Sequence, residues 1–261
     1  MVKLDGKVVI ITGSSSGIGQ AAAVAFAAKG ASVTIHGRSI DGLQRTIKLL
    51  KAKKCDSDRI LMVQGNIENK ETCHKLIDDT IEKFGRIDIL VNNAGIAGKQ
   101  GEKDPLSIEN YEYTFDVNLK SVIIMTKLAT PYLQKTKGNI VNISSVAGIR
   151  ASSFFPYYSM AKAGLDHFCR NMSSILAEKG IRINNLNPGG TETDFQSKIA
   201  PNGKEMVSQW AKKNVPMGRM GTSQEMAKAI VFIATEATYM TGSTIVIDGG
   251  VLHSNDFKVQ D

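Results

Sequence analysis

The stretch Val8-Val9-Ile10-Ile11-Thr12-Gly13-Ser14-Ser15-Ser16-Gly17-Ile18-Gly19-Gln20-Ala21-Ala22-Ala23 decides the architecture. Its four leading apolar residues show no polar alternation, the pattern of a strand covered on both faces. A glycine-rich turn follows at once, and alanines then open a helix. Glycines in this place allow a tight turn and close main-chain approach to a phosphate at the positive helix N-terminus. The hydroxyls of Ser14, Ser15 and Ser16 can cap the helix or donate to phosphate oxygens. The spacing is GxxxGxG rather than GxGxxG, and no lysine follows as a P-loop requires. A strand running through such a turn into a helix points to a bound dinucleotide; the plainer reading is a turn with an N-cap.

Outward from this unit the same rhythm fills the chain. Val8–Ile11, Ser32–Ile35, Ile60–Val63, Ile87–Val91, Asn139–Ile143, Ile181–Leu186 and Ser243–Ile247 read as strands. Helical periodicity covers Ala21–Lys29, Leu43–Lys53, Glu71–Phe84, Tyr111–Gln134, Ser159–Lys179 and Gln224–Ala234. Such alternation predicts an α/β fold, a mainly seven-stranded parallel sheet wrapped by helices on both faces. Ala97–Ser107 and Gly189–Thr222 interrupt the rhythm, but it resumes unchanged after each. One domain over residues 1–261 is therefore expected.

Composition excludes several classes. Of 261 residues 42% are hydrophobic and 22% charged, enough for a full core and against disorder. No apolar run approaches the length of a membrane span, and Met1–Lys7 carries no signal-like apolar region. Cys55, Cys73 and Cys169 form no CxxC pair, which suits reduced thiols in a cytoplasmic compartment. Lysine and arginine (32) exceed aspartate and glutamate (25), a net charge of +7 that suits an anionic ligand or a nucleic acid. The cluster Lys48, Lys51, Lys53, Lys54 lacks interleaved aromatics and lies on a helix whose outer face should be charged anyway, against nucleic-acid binding.

The second strand bears on which dinucleotide. An acid at its end would bind a ribose 2′-hydroxyl, and an arginine would suit a 2′-phosphate. The sequence there is His36-Gly37-Arg38-Ser39, with no acid; Arg38 offers a planar cationic fork and Ser39 a hydroxyl. NADP(H) is favoured over NAD(H).

Two further segments carry chemistry. Tyr158 and Lys162 are four apart on one helical face, and an ammonium beside a phenol lowers its pKa toward the working range. Tyr157 is displaced round the helix from Lys162, so spacing selects Tyr158. The fifth strand ends in Asn142-Ile143-Ser144-Ser145, hydroxyls at the edge where open α/β sheets bind ligands. Ser145 can polarise a substrate carbonyl. His36, His74, His167 and His253 show neither triad context nor metal-ligand spacing, so no metal is expected.

Together these segments resemble the short-chain dehydrogenase/reductase family from Leu4 to Gly250. The matching pieces are TGSSSGIG at Thr12–Gly19, NNAG at Asn92–Gly95 and VNL at Val117–Leu119. Further along come ISSVAG at Ile143–Gly148, YSMAK at Tyr158–Lys162, NPGGTETD at Asn187–Asp194 and DGG at Asp248–Gly250. The resemblance implies a doubly wound Rossmann domain with a small substrate lid at about residues 190–221. Tyr158 would transfer the proton, Lys162 would lower its pKa and hold the nicotinamide ribose, Ser145 would orient the reacting oxygen, and Asn118 would support a water relay. Gly13, Ser15, Ser16, Gly17, Ile18 and Gly19 would line the diphosphate. Arg38, Ser39, Asn66 and Ile67, with Asn93, Ala94 and Gly95, would border the adenosine side, and Pro188, Gly189 and Thr191 the nicotinamide. NNAG also has a structural part in the family, steadying the central sheet.

Relatives often have Asp where Asn66 stands, so a changed adenine contact is expected. Enoyl reductases of the family use a wider Tyr–Lys spacing, so the pair here implies carbonyl/alcohol chemistry. Apolar Phe195, Ile199, Met206, Trp210, Val215 and Met217 in the lid, facing Ile149, Phe154 and Phe155, suit a hydrophobic ketone, aldehyde or alcohol; they also suit packing of the lid itself. Apolar residues on more than one face of Tyr111–Gln134 and Ser159–Lys179 invite a symmetric partner, and the family implies a tetramer. A catalytically silent dinucleotide-binding regulator is the alternative. Intact Ser145, Tyr158, Lys162 and Asn118 count against it.

Overall fold

Alternation within the first strand divides the interior in two. In the computed structural model, which describes residues 2–193 and 203–253, β1 (Val8–Ile11) sends Val9 and Ile11 to one side and Ile10 to the other. The remaining strands are β2 (Ser32–Gly37), β3 (Ile60–Gln64), β4 (Ile89–Asn92), β5 (Asn139–Ile143), β6 (Arg182–Pro188), the short β7 (Thr191–Glu192) and β8 (Gly221–Thr222), and β9 (Thr244–Ile247). Seven of them form one sheet in the order β3-β2-β1-β4-β5-β6-β9, parallel throughout. Strand order reverses between β1 and β4, where such sheets open a crevice for ligands.

The helices are α1 (Gly17–Ala27), α2 (Ile40–Ala52), α3 (Lys70–Phe84), α4 (Ile108–Phe115), α5 (Ser121–Thr136), α6 (Pro156–Ala177), α7 (Gly203–Asn214) and α8 (Ser223–Thr235). On the Val9 side, Ala22 and Phe26 of α1, Leu43 and Leu50 of α2 and Ile230 of α8 close over the sheet. On the Ile10 side, Leu76 of α3, Met125 and Leu133 of α5 and Leu176 of α6 do the same. Each of the phenylalanine, leucine, isoleucine and methionine side chains, once fully buried, contributes roughly 2 kcal/mol through area removed from water. These two layers make the expected α/β sandwich. Among the described residues no helix is long and apolar enough to cross a membrane.

Three local readings change. The expected continuous helix Tyr111–Gln134 is instead α4, a π-helical turn at Asp116–Lys120, and α5. Hydropathy periodicity reports which face is apolar, and one extra residue in a turn hardly disturbs it. Helix α6 begins at Pro156, before the expected Ser159, because a proline at N1 has a preset φ and needs no donor. The stretch Gly189–Thr222, expected to be irregular, contains α7 and the parallel pair β7–β8. Phe195 and Ile199 of the expected lid, and the tail after His253, lie outside the described residues.

Candidate active site

A cavity of about 400 Å³ opens at the C-terminal ends of β1, β2, β4, β5 and β6. Its first wall is the glycine-rich turn, where Gly13, Ser15, Ser16, Gly17 and Ile18 face the space. Gly13 (φ +65°) and Gly17 (φ +58°) hold backbone conformations that side chains disfavour. A Cβ on Gly13 would also lie 2.8 Å from Ala94 Cα. Ser16 precedes α1 without capping it by its side chain, whereas the buried Ser14 hydroxyl donates to the Ile11 carbonyl. The turn thus turns main chain and the α1 N-terminus toward the cavity. An anionic diphosphate fits this cradle on charge and on room.

The NNAG segment fixes the turn from behind. Asn93 Nδ2 donates to the carbonyls of Thr12 (2.9 Å) and Gly13 (3.0 Å). Backbone N–H groups of Asn93 and Ala94 both donate to Thr12 Oγ1 at 3.0 Å. Gly19 is not on the cavity wall; an added Cβ there would strike Asn93 Nδ2 and the Gly13 carbonyl, so its smallness serves packing. Asn93, Ala94 and Gly95 line the cavity as expected.

At the β2 end the structure adds a residue that the sequence did not single out. His36 is buried, its Nδ1 accepts from Gly13 N (3.2 Å), and its Nε2 is 3.1 Å from the Gly65 carbonyl. These partners require a neutral ring protonated on Nε2. Burial pushes its pKa down to about 4. His36 therefore ties the glycine-rich turn to the segment just after β3. Arg38 lines the cavity mouth, and its Nη1 donates to the Tyr113 hydroxyl at 2.9 Å. Ser39 is not on the wall; its hydroxyl accepts from Gly42 N (3.1 Å) as the α2 N-cap. Past β3, Ile67 and Glu68 face the cavity and Asn66 does not.

At the opposite end Ser145, Tyr158 and Lys162 come together. The Ser145 and Tyr158 hydroxyls are hydrogen-bonded. Lys162 Nζ lies 5.6 Å from the Tyr158 ring centroid and donates to the Ile143 carbonyl at 2.7 Å. Sequence spacing predicts a lowered Tyr158 pKa; burial instead pushes it up, only partly offset by Ser145. The reason is geometric: the ammonium sits over the ring and is turned to a carbonyl. Burial lowers the Lys162 pKa to about 8, against the opposing pull of the Asp166 charge. Pro188, Gly189 and Thr191 continue this wall.

Asn118 lies in the π-helical turn, fully buried and off the wall. Its Nδ2 donates to the carbonyls of Ile96 (3.0 Å) and Thr114 (2.9 Å), and its Oδ1 accepts from Ile96 N (3.1 Å). The side chain thus clamps the segment after NNAG. A Cβ on Gly95 would lie 3.0 Å from Asn118 Oδ1 and 3.6 Å from Lys162 Nζ, so the three are close neighbours.

Beyond the catalytic end the wall is Ile96, Val146, Phe155, Thr193, Val207 and Trp210. Phe154 and Ile149 point to solvent, Met217 is exposed, and Val215 packs with Ala211 and Met220 of the lid and with Val251 after β9.

Comparison with known proteins places this geometry. A family model described as enoyl-(acyl carrier protein) reductase matches residues 13–252. A solved short-chain dehydrogenase/reductase from Caenorhabditis elegans, with cofactor, superposes with a TM-score of 0.93 at 36% identity over 99% of both chains. The chain is a short-chain dehydrogenase/reductase. As a member of that family it is an oxidoreductase. It is also similar to the glucose dehydrogenase of C. elegans (TM-score 0.84, 40% identity, 96% of this chain and 99% of that one). The 3-oxoacyl-[acyl-carrier-protein] reductase of Thermotoga maritima is 35% identical over 96% of this chain and all of its own.

Proposed function

We propose that this short-chain dehydrogenase/reductase interconverts a ketone or aldehyde and an alcohol with NADP(H), acting on a hydrophobic small molecule from a single catalytic domain. The observation that carries the reading is the meeting of Ser145, Tyr158 and Lys162 at one end of a cavity whose other end is a phosphate cradle. When bound, the dinucleotide supplies or accepts the hydride. Gly13, Ser15, Ser16, Gly17 and Ile18 would hold its phosphates, Arg38 a 2′-phosphate, and Lys162 the nicotinamide ribose.

The chain's own groups do the rest. The Ser145 hydroxyl holds the reacting oxygen beside Tyr158. Tyr158, kept protonated by burial, gives its proton to that oxygen in reduction and takes it back in oxidation. Lys162, with a pKa near 8, supplies positive charge that favours the phenolate left behind. Phe155, Val146, Val207 and Trp210 exclude water and favour an apolar substrate. Among the described wall residues the charged side chains are Arg38, Glu68 and Lys162, none on this substrate side. The four-residue Tyr–Lys spacing, and relatives named for an oxo group and for a sugar, favour C=O/CH–OH chemistry over reduction of a C=C bond.

Exposed Ile108, Tyr111, Ile123, Met160 and Ile175 on α4, α5 and α6 support assembly into a homo-oligomer, with the tetramer as the proposed state. The test of the catalytic reading is Tyr158→Phe. Turnover falls by on the order of a hundredfold or more, while NADPH titration shows near-normal affinity. Retained turnover would sink the proton-transfer role.

A further inference from the structure

Beneath the catalytic residues lies a buried carboxylate that the proposed chemistry does not use. Asp166 sits one helical turn after Lys162 on α6 and is buried. Both its oxygens are taken: Asn185 Nδ2 donates to Oδ1 and Asn187 Nδ2 to Oδ2, each at 2.8 Å. The Asn187 amide also donates to the Ser145 carbonyl at 2.9 Å. From Asn185 a line of buried amides crosses the sheet. Asn142 Nδ2 donates to Asn185 Oδ1, and Asn92 Nδ2 to Asn142 Oδ1, both at 2.9 Å.

The direction of this ladder has one physical origin. An amide side chain can present either its oxygen or its nitrogen, but a carboxylate only accepts. Asp166 therefore makes Asn185 and Asn187 donate, and Asn185 in turn orients Asn142 and Asn92. At the outer end Asn92 Oδ1 is buried without a partner among the described residues, as a ladder aligned from its other end leaves it.

We propose that Asp166 is a positioning residue for the reaction: it holds the Asn187 amide that fixes the Ser145 backbone beside the catalytic hydroxyls. The inference rests on the catalytic reading of Ser145, Tyr158 and Lys162. Asp166 is buried and off the cavity wall, so it acts through the residues that line it. Its charge acts on Lys162 in the direction that favours the ammonium.

The titratable groups on the elements packed against α6 have partners of their own or lie at the surface. Asp116 and Lys120 pair with each other near the surface, and Glu109 and Glu112 are exposed. Tyr113 holds Arg38, and Tyr111 is exposed against Phe115 and Tyr157. Arg150 donates to the Val251 carbonyl, and Arg182 to carbonyls at the end of α8 and just after it. On α6 itself Tyr157 donates to the Leu106 carbonyl, the Cys169 thiol is pushed up to about 12, and His167 and Arg170 meet at the surface.

The isosteric Asp166→Asn puts an amide NH₂ against one of two donors. Asn187 has a buried Oδ1 without a partner among the described residues, so it is the one that turns, and in turning it releases the Ser145 carbonyl. Wild type, Asp166→Asn, Asn187→Ala and Tyr158→Phe are compared in NADPH oxidation, using the ketone or diketone that wild type turns over fastest. Melting temperature and NADPH fluorescence titration are measured on each. Asp166→Asn lowers kcat on the order of tenfold to a hundredfold. It moves the alkaline limb of the reduction profile down by roughly one pH unit, because loss of a negative charge makes the Tyr158–Lys162 pair lose its proton sooner. NADPH affinity stays near that of wild type. Asn187→Ala lowers kcat to a similar degree and leaves the limb in place. An Asp166→Asn enzyme with unchanged kcat and an unmoved limb overturns the proposal. If that variant does not fold, an Asn187→Ala enzyme with unchanged kcat overturns it instead. Turnover by Tyr158→Phe would strike the catalytic reading itself, a distinguishable failure.

Discussion

The two ends of the cavity are built by different means. At the dinucleotide end the wall is main chain, shaped by Gly13 and Gly17 at positive φ and held from behind by Asn93 and Thr12. At the catalytic end the wall is side chain, and its geometry comes from a buried polar ladder that joins β4, β5, β6 and α6. A main-chain wall cannot admit a new side chain, yet it is indifferent to the chemistry of its outward neighbours. A side-chain wall has the opposite weakness: shape can be kept while one changed donor or charge disables it.

Three substitutions press on that contrast. The largest effect is expected for Gly13→Val, whose Cβ meets Ala94 Cα at 2.8 Å from a backbone at φ +65°. NADPH titration should show no binding where wild type saturates, and the melting temperature should fall by several degrees. Wild-type affinity would break the main-chain account of this end. Next comes Arg38→Asp, which removes the cationic fork at the mouth and offers a ribose hydroxyl an acceptor. The NADPH/NADH ratio of specificity constants should drop by about tenfold or more; an unchanged ratio would remove Arg38 from cofactor choice. The smallest effect concerns His36. Its folded pKa, about 4, lies below the unfolded value near 6.5, so the neutral ring's contribution is complete above 6.5. That contribution is lost as pH falls from 6.5 toward 4. Denaturation against pH should show this loss in wild type and less of it in His36→Asn; equal acid sensitivity would contradict the assignment.

What is legible in the sequence follows the same division. Thr12–Gly19 and the Tyr158–Lys162 pair are local in sequence, so strand, turn, helix and shared face were legible from spacing alone. Arg38 was legible because the end of β2 has a fixed place beside the first turn. The ladder was not, because Asn92, Asn142 and Asn185 meet only through the pairing register of three strands. His36 looked like a lone histidine, since its partners Gly13 and Gly65 come from two other segments. At Ser39 and Gly19 the residue type does not reveal the helix cap and the close packing contact that each makes. The π-helical turn that seats Asn118 is a hydrogen-bond register change, to which apolar periodicity is blind.

The reaction proposed for this cavity is reduction of a carbonyl at the expense of NADPH. Its most direct test is the rate of NADPH and of NADH oxidation by the purified protein, across a panel of ketones, diketones and aldehydes. Carbonyl-dependent turnover is expected with at least one apolar compound, faster with NADPH than with NADH. Tight NADPH binding with no turnover on any carbonyl would contradict it and leave a dinucleotide-binding protein without catalysis.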